Sequence, residues 1–168
     1  KEVVRLSEEE ALAQGYTLIK TADELQAMQD NLSGKYILMN DIDLAGYDWT
    51  AVGTYDNRFA GEFNGNGYVI SNLTINEPTK QFQGLFGVGD ARTSYSNVGL
   101  ENVNVKGGAA TGGLIGSGAV YIDNCYVTGA VSGDYRVGGV VGDFGGMNFP
   151  ATNCYTSCDV VGTNYIGG

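Results

Sequence analysis

The chain has 168 residues, with 19 acidic against 9 basic side chains, no histidine, 27 glycines and a net charge of −10. That length suits one domain, and 43% hydrophobic and 11% aromatic residues exclude a disordered chain. The acidic balance argues against nucleic acid or anionic lipid as a partner, and the absence of histidine removes Ser-His-Asp and Cys-His nucleophiles and histidine-ligated zinc.

Residues 1–34 read as a helical cap. Ser7-Glu8-Glu9-Glu10 has the capping-box pattern, in which a hydroxyl and a carboxylate three residues on each accept from the other's backbone amide. It opens a short helix that Gly15 stops. Thr21-Ala22-Asp23-Glu24 repeats the pattern ahead of a second helix, with Leu25 and Met28 on one face and an end near Asn31. Both acidic clusters are read as carboxylates that favour helix N-termini. From Lys35 onward the helical period stops. Tyr36-Ile37-Leu38-Met39, Tyr68-Val69-Ile70, Val103-Asn104-Val105 and Ala130-Val131 read as strands, parted by turns such as Asn64-Gly65-Asn66-Gly67. No apolar run is long enough to span a membrane. The opening Lys1-Glu2-Val3-Val4 starts no signal-peptide pattern, so an exported product would carry its leader elsewhere.

Repeats then decide the architecture. Gly84-Leu85-Phe86-Gly87 returns as Gly113-Leu114-Ile115-Gly116 and as Gly139-Val140-Val141-Gly142, at intervals of 29 and 26 residues. Between copies stands an asparagine followed by an alternating run: Asn72-Leu73-Thr74-Ile75, Asn97-Val98-Gly99-Leu100, Asn124-Cys125-Tyr126-Val127 and Asn153-Cys154-Tyr155-Thr156. Such a period with glycine-rich corners predicts a stacked β-solenoid over residues 35–168, integrated with the cap into one domain. Rungs ~4.8 Å apart stack like side chains into columns. The expected inward columns are Leu73/Val98/Cys125/Cys154 and Ile75/Leu100/Val127/Thr156, with the asparagines as an amide ladder at a corner. On that phase Ile42 and Leu44 belong to a partial first rung, and Asp41, not Asn40, falls in the asparagine column, so the ladder is expected to start after it. Paired glycines such as Gly112-Gly113 and Gly138-Gly139 serve either positive φ or close backbone approach. Cys125, Cys154 and Cys158 are expected as free, buried thiols, since parallel Cβ vectors on adjacent rungs suit a disulfide poorly. Ile166-Gly167-Gly168 repeats Val137-Gly138-Gly139 without its continuation, so an unfinished rung of a longer protein is expected.

The Gly-Leu-Phe-Gly, Gly-Gly-Leu-Ile-Gly and Gly-Gly-Val-Val-Gly copies, with Asn-Cys-Tyr between them and Thr128-Gly129-Ala130-Val131-Ser132-Gly133, resemble the GLUG repeat. The resemblance covers about residues 16–168. GLUG repeats occur in bacterial surface and secreted proteins, among them filamentous-haemagglutinin-like adhesins and the non-catalytic part of immunoglobulin A-specific metallopeptidases. The resemblance implies an all-β, right-handed parallel β-helix, an extracellular or cell-surface setting and an interaction or scaffolding role, and it carries no catalytic residues.

Candidate chemistry is sparse. No Gly-Lys-Ser/Thr follows any glycine run, so these read as corners, not phosphate loops. Asp41 and Asp43, with Asp48 and Asp56 beyond, supply oxygen ligands of the kind Ca²⁺ takes, but they match no EF-hand or nonapeptide repeat and read as a solvated face. Lys106 and Arg136 stand isolated, and Glu101, Asp123, Asp134, Asp143 and Asp159 are scattered, which does not assemble a polysaccharide-cleaving centre. Tyr95, Tyr121, Tyr135 and Tyr165 lie near rung corners, and Tyr126 and Tyr155 hold matching outward positions where stacked rings could contact a sugar or protein. Trp49 reads as packing near the cap. The expected function is a non-enzymatic repeat module of a bacterial cell-surface or secreted protein, mediating adhesion or projecting other domains. The alternatives are a non-catalytic scaffold segment of a large secreted metallopeptidase and a polysaccharide-acting enzyme. Expected partners are a host or cell-surface glycan or protein and neighbouring repeats, with no catalytic residue, metal or cofactor assigned.

Overall fold

The computed structural model describes residues 2–145 and 150–167; Lys1, residues 146–149 and Gly168, the end of the last repeated phrase, lie outside the described residues. The chain coils as a parallel β-helix, each turn adding one strand to each face it visits. The first face stacks Thr17–Ile19, Lys35–Leu38, Glu62–Asn64, Ser94–Ser96, Tyr121–Asp123 and Ala151–Thr152 in that order. The second stacks Ile42–Asp43, Val69–Ser71, Gly99–Lys106, Tyr126–Ser132 and Tyr155–Val161, with Thr74–Asn76 also paired to Gly99–Lys106. The third holds Phe86–Gly89, Ile115–Gly118 and Val141–Asp143, and the fourth holds Thr111–Gly112, Tyr135–Gly138 and Asn164–Gly167. Each rung returns in the direction of the last, so every ladder is parallel.

Stacking converts the repeat into a core. Tyr36, Phe63, Tyr95 and Ile122 form one buried column, and Ile42, Ile70, Leu100 and Val127 another. Phe86 sits among the rings of Phe59, Phe63 and Tyr95 at 4.9, 5.3 and 4.7 Å between centroids, each pair worth about 0.5–1.5 kcal/mol beyond burial. The repeat glycines serve close approach. Neither Gly112 nor Gly113 has positive φ, and a Cβ on either would run into backbone carbonyls, of Ile115 and Gly139 respectively. The adjoining Leu85 and Leu114 amides donate to Gly113 and Val140 one rung on, at 3.1 and 3.0 Å.

The cap matches its signals with one addition. The helix Glu8–Ala13 has both halves of its capping box. In Ala22–Gln26 only Thr21 caps, accepting from the Glu24 amide at 3.1 Å, while the Glu24 carboxylate turns back to the Lys20 amide. Leu25, Met28 and Trp49 are buried, and the Trp49 indole donates to the Leu85 carbonyl at 3.1 Å. Between the helices, however, Thr17–Ile19 is a strand, paired with Lys35–Leu38. Three residues are too few to show a period of two, and pairing decides their conformation.

Two columns start differently from the sequence reading. Ile70, not Ile75, stacks on Leu100; Ile75 stacks on Val105, and the Asn104 amide donates to the Leu73 carbonyl. The cause is a second left-handed corner in the same rung, since both Asn97 (φ 57) and Asn102 (φ 55) turn there. Two ladders follow. In one, Asn97 Nδ2 donates to Asn64 Oδ1 at 3.3 Å and Asn124 Nδ2 to Asn97 Oδ1 at 3.1 Å. In the other, Asn72 donates to Asp43 and Asn102 to Asn72, both at 2.8 Å. Asp43 rather than Asp41 heads that second ladder. Asn153 leaves the first ladder and donates to Asp123 instead. All three cysteines are free, but only Cys125 is buried; Cys154 and Cys158 are half-buried on the last rung, which no further strand covers among the described residues.

Candidate functional site

The carboxylates near the cap satisfy the backbone. Asp41 accepts from the Val69 amide at 2.8 Å, and Asp43 from the Ala45 amide at 2.9 Å and from Asn72. The Asn72 bond, then the Ala45 bond, holds the Asp43 carboxyl below its ordinary pKa. Among the described residues no three His, Cys, Asp or Glu side chains gather as a metal site, and Asp48 and Asp56 join no such group.

The outward side of the second face carries an aromatic groove. Tyr126 lies flat over Gly99, where any Cβ would meet its ring, and its hydroxyl donates to Glu101 at 2.6 Å. Burial, then the Glu101 bond, raises the Tyr126 hydroxyl pKa. Tyr155 stacks on it from the next rung with centroids 5.0 Å apart and ring planes 4° from parallel. Across the groove the Arg5 guanidinium lies 3.9 Å over the Tyr68 ring and donates to the Asn66 and Gly67 carbonyls. Asn97, Asn124 and Val69 complete a hollow of 530 Å³. Among the described residues, no donor of the first ladder reaches Asn124 Oδ1, because Asn153 has turned to Asp123. Of the tyrosines singled out from the sequence, Tyr126 and Tyr155 meet as expected. Tyr121, Tyr135 and Tyr165 are exposed, whereas Tyr95 is fully buried in the core and burial raises its hydroxyl pKa. Its neighbours Ser94 and Ser96 face outward on the same strand, so alternation sends Tyr95 inward.

A second hollow adjoins the fourth face. Successive rungs place Phe82 (φ 58), Ala110 (φ 59), Arg136 (φ 57) and Tyr165 (φ 54) in the left-handed region at stacked positions. Asparagine tolerates that region at the other corners, but these residues lack its local hydrogen bonding, and each costs roughly 1–2 kcal/mol there. Phe82 stacks on Tyr55 at 5.9 Å and 20°, and the Arg58 guanidinium lies 4.7 Å over the same ring. Arg136 pairs with Asp143 at 2.8 Å. These side chains line a cleft of 330 Å³. Arg136 is therefore not isolated, because the loop before the Glu62–Asn64 strand brings Arg58 into the same cleft. No motif in the sequence links the two.

On the last rungs, Cys125 and Cys154 are neighbours. The Cys125 thiol draws the pKa of Cys154 down to about 7, while its own is raised by Cys154 and by burial.

The fold defines the class: a parallel β-solenoid repeat module. No family model matches the chain. It is 31% identical over 133 residues to Halomucin of Haloquadratum walsbyi, across 71% of this chain and 2% of that protein. It is 36% identical over 121 residues to a "Putative Gly-rich membrane protein" of Evansella cellulosilytica, across 66% of this chain and 14% of that one. The chain thus spans a small part of the curated relatives it matches. The crystal structure of a "putative immunoglobulin A1 protease" from Bacteroides ovatus superposes with a TM-score of 0.68 at 23% identity, over 90% of this chain and 48% of that one. The two share the solenoid fold.

Proposed function

We propose that this chain is a non-enzymatic module of a cell-surface or secreted protein, a stiff shaft that projects neighbouring domains and adheres through its outward second face to a glycan or protein. The observation that carries this reading is the division of labour along the repeat. The Gly-Leu-Phe-Gly copies and the asparagine ladders are taken up by rung-to-rung packing, while the Tyr126–Tyr155 stack and Arg5–Tyr68 face outward around one groove. Tyrosine suits adhesion because it offers a large apolar face with a polar tip. The membrane-protein name of the Evansella relative favours a place at the cell envelope. An array of neutral glycans, followed by titration of hits, tests the reading: the wild-type chain is expected to bind, and Tyr126→Ala/Tyr155→Ala to weaken that binding at least tenfold. Binding that survives the double substitution would remove the groove from the reading. A second reading, the scaffold segment of a larger secreted protease, is favoured by the likeness to the Bacteroides ovatus protein across most of this chain. A His-Glu-x-x-His motif elsewhere in the parent protein would support it.

A further inference from the structure

We propose that the cleft between Arg58 and Arg136 is a second binding site, separate from the tyrosine groove, and that it takes an acidic saccharide, one hexuronate unit held by its carboxylate. Three observations converge on it. First, the backbone corner that lines it accepts the left-handed region at Phe82, Ala110 and Arg136, where the other left-handed residues described are asparagine or glycine apart from Arg92 and Tyr165. Strain kept at stacked positions points to a use for the side chains displayed there. The residues shown are also the kind that recognise ligands, an aromatic ring at 82 and a guanidinium at 136.

Second, the charge is local. In a chain of net −10, two guanidiniums share one cleft. Among the described residues, Arg58 donates through Nε to the Tyr55 carbonyl and Arg136 through Nη1 to Asp143. Each therefore keeps donors for a planar carboxylate, which arginine binds as a fork. Third, the walls and floor suit a sugar ring. Tyr55, Phe82 and Tyr135 are aromatic, and the small residues Gly118 and Ala119 also line the cleft. Sugar rings present apolar C–H faces that stack on aromatic side chains, a contact that a bare inorganic anion cannot make. The volume of 330 Å³ lies at the low end of small-ligand sites.

The test is calorimetric titration of the whole chain with trigalacturonate, with maltotriose and inorganic phosphate as controls. Binding of the uronate alone, weakened at least tenfold by Arg58→Gln, is expected. Arg136→Asn is the sharper variant: asparagine relaxes the left-handed corner, so the melting temperature holds or rises while uronate affinity falls at least tenfold. Tyr126→Ala/Tyr155→Ala should leave uronate binding unchanged, which separates this site from the adhesive groove. No uronate binding at millimolar concentration, equal binding of maltotriose, or phosphate binding as tightly as the uronate would overturn the proposal. Uronate binding indifferent to both arginine variants would overturn it as well.

Discussion

The two ends of the solenoid treat the same columns in opposite ways. At the N-terminal end Leu25, Met28 and Trp49 close over the apolar interior. At the other end the columns run into solvent. Val137 is 1% exposed and Ile166, its partner on the next rung, is 46% exposed. Val127 is buried, while Thr156 above it is only half-buried. Register is kept in both pairs, and in the Val137–Ile166 pair both side chains are β-branched and apolar, so the difference there lies in the rung above. In this fold burial is conferred by a neighbour, as expected when each repeat touches only adjacent repeats.

Substitutions that separate middle from end probe that contrast. The largest effect is expected from Phe86→Ala, which empties a site surrounded by three rings and should cost about 3–5 kcal/mol in urea unfolding. Ile166→Ala, on the uncovered rung, should cost under about 1 kcal/mol. Equal losses would mean that the end is covered as well as the middle.

Next come the ladders. Glycine keeps the left-handed corner, so Asn97→Gly removes only the amide bonds to Asn64 and Asn124 and should cost about 1–2 kcal/mol. Asn153→Gly, exposed and outside the ladder, should stay within about 0.5 kcal/mol of wild type. A similar cost at both positions would deny the ladder any structural weight.

The smallest effect is chemical. In denaturant without reductant three thiols should titrate, since all three cysteines are free. In the native protein Cys154 and Cys158 should react with a disulfide reagent well before buried Cys125. Because the Cys154 pKa is lowered, its thiolate forms at a lower pH than an ordinary thiol's, and its labelling rate should climb as pH rises through about 7. A first-reacting Cys125 would contradict the burial order.

Much of the fold was legible because its cause is periodic. The Gly-Leu-Phe-Gly copies, the alternating runs and the Ser7 capping box each rest on local rules that a sequence displays. Tyr126 and Tyr155 could be matched because their rungs are in simple register. What escaped was register across irregular turns. The rung from Phe63 to Tyr95 spans 32 residues against 27 in the next, and pairing shifts between Val127 and Gly129, so the repeat pattern put Asn72 in the Asn97 column although it bonds Asn102. The Arg58–Arg136 cleft escaped for a related reason. It joins a loop to a corner three rungs away, and only the coiling of the chain brings them together.

Hydrogen exchange read by mass spectrometry tests most directly whether a neighbouring rung confers stability. Among the described residues, Gly99–Lys106 and Tyr126–Ser132 have a strand on both sides, whereas Tyr155–Val161 has one on a single side. Amides in the first two segments should exchange slowly, near the limit set by global unfolding, and those of Tyr155–Val161 orders of magnitude faster through local opening. Equal protection in all three segments of a monomer would contradict it.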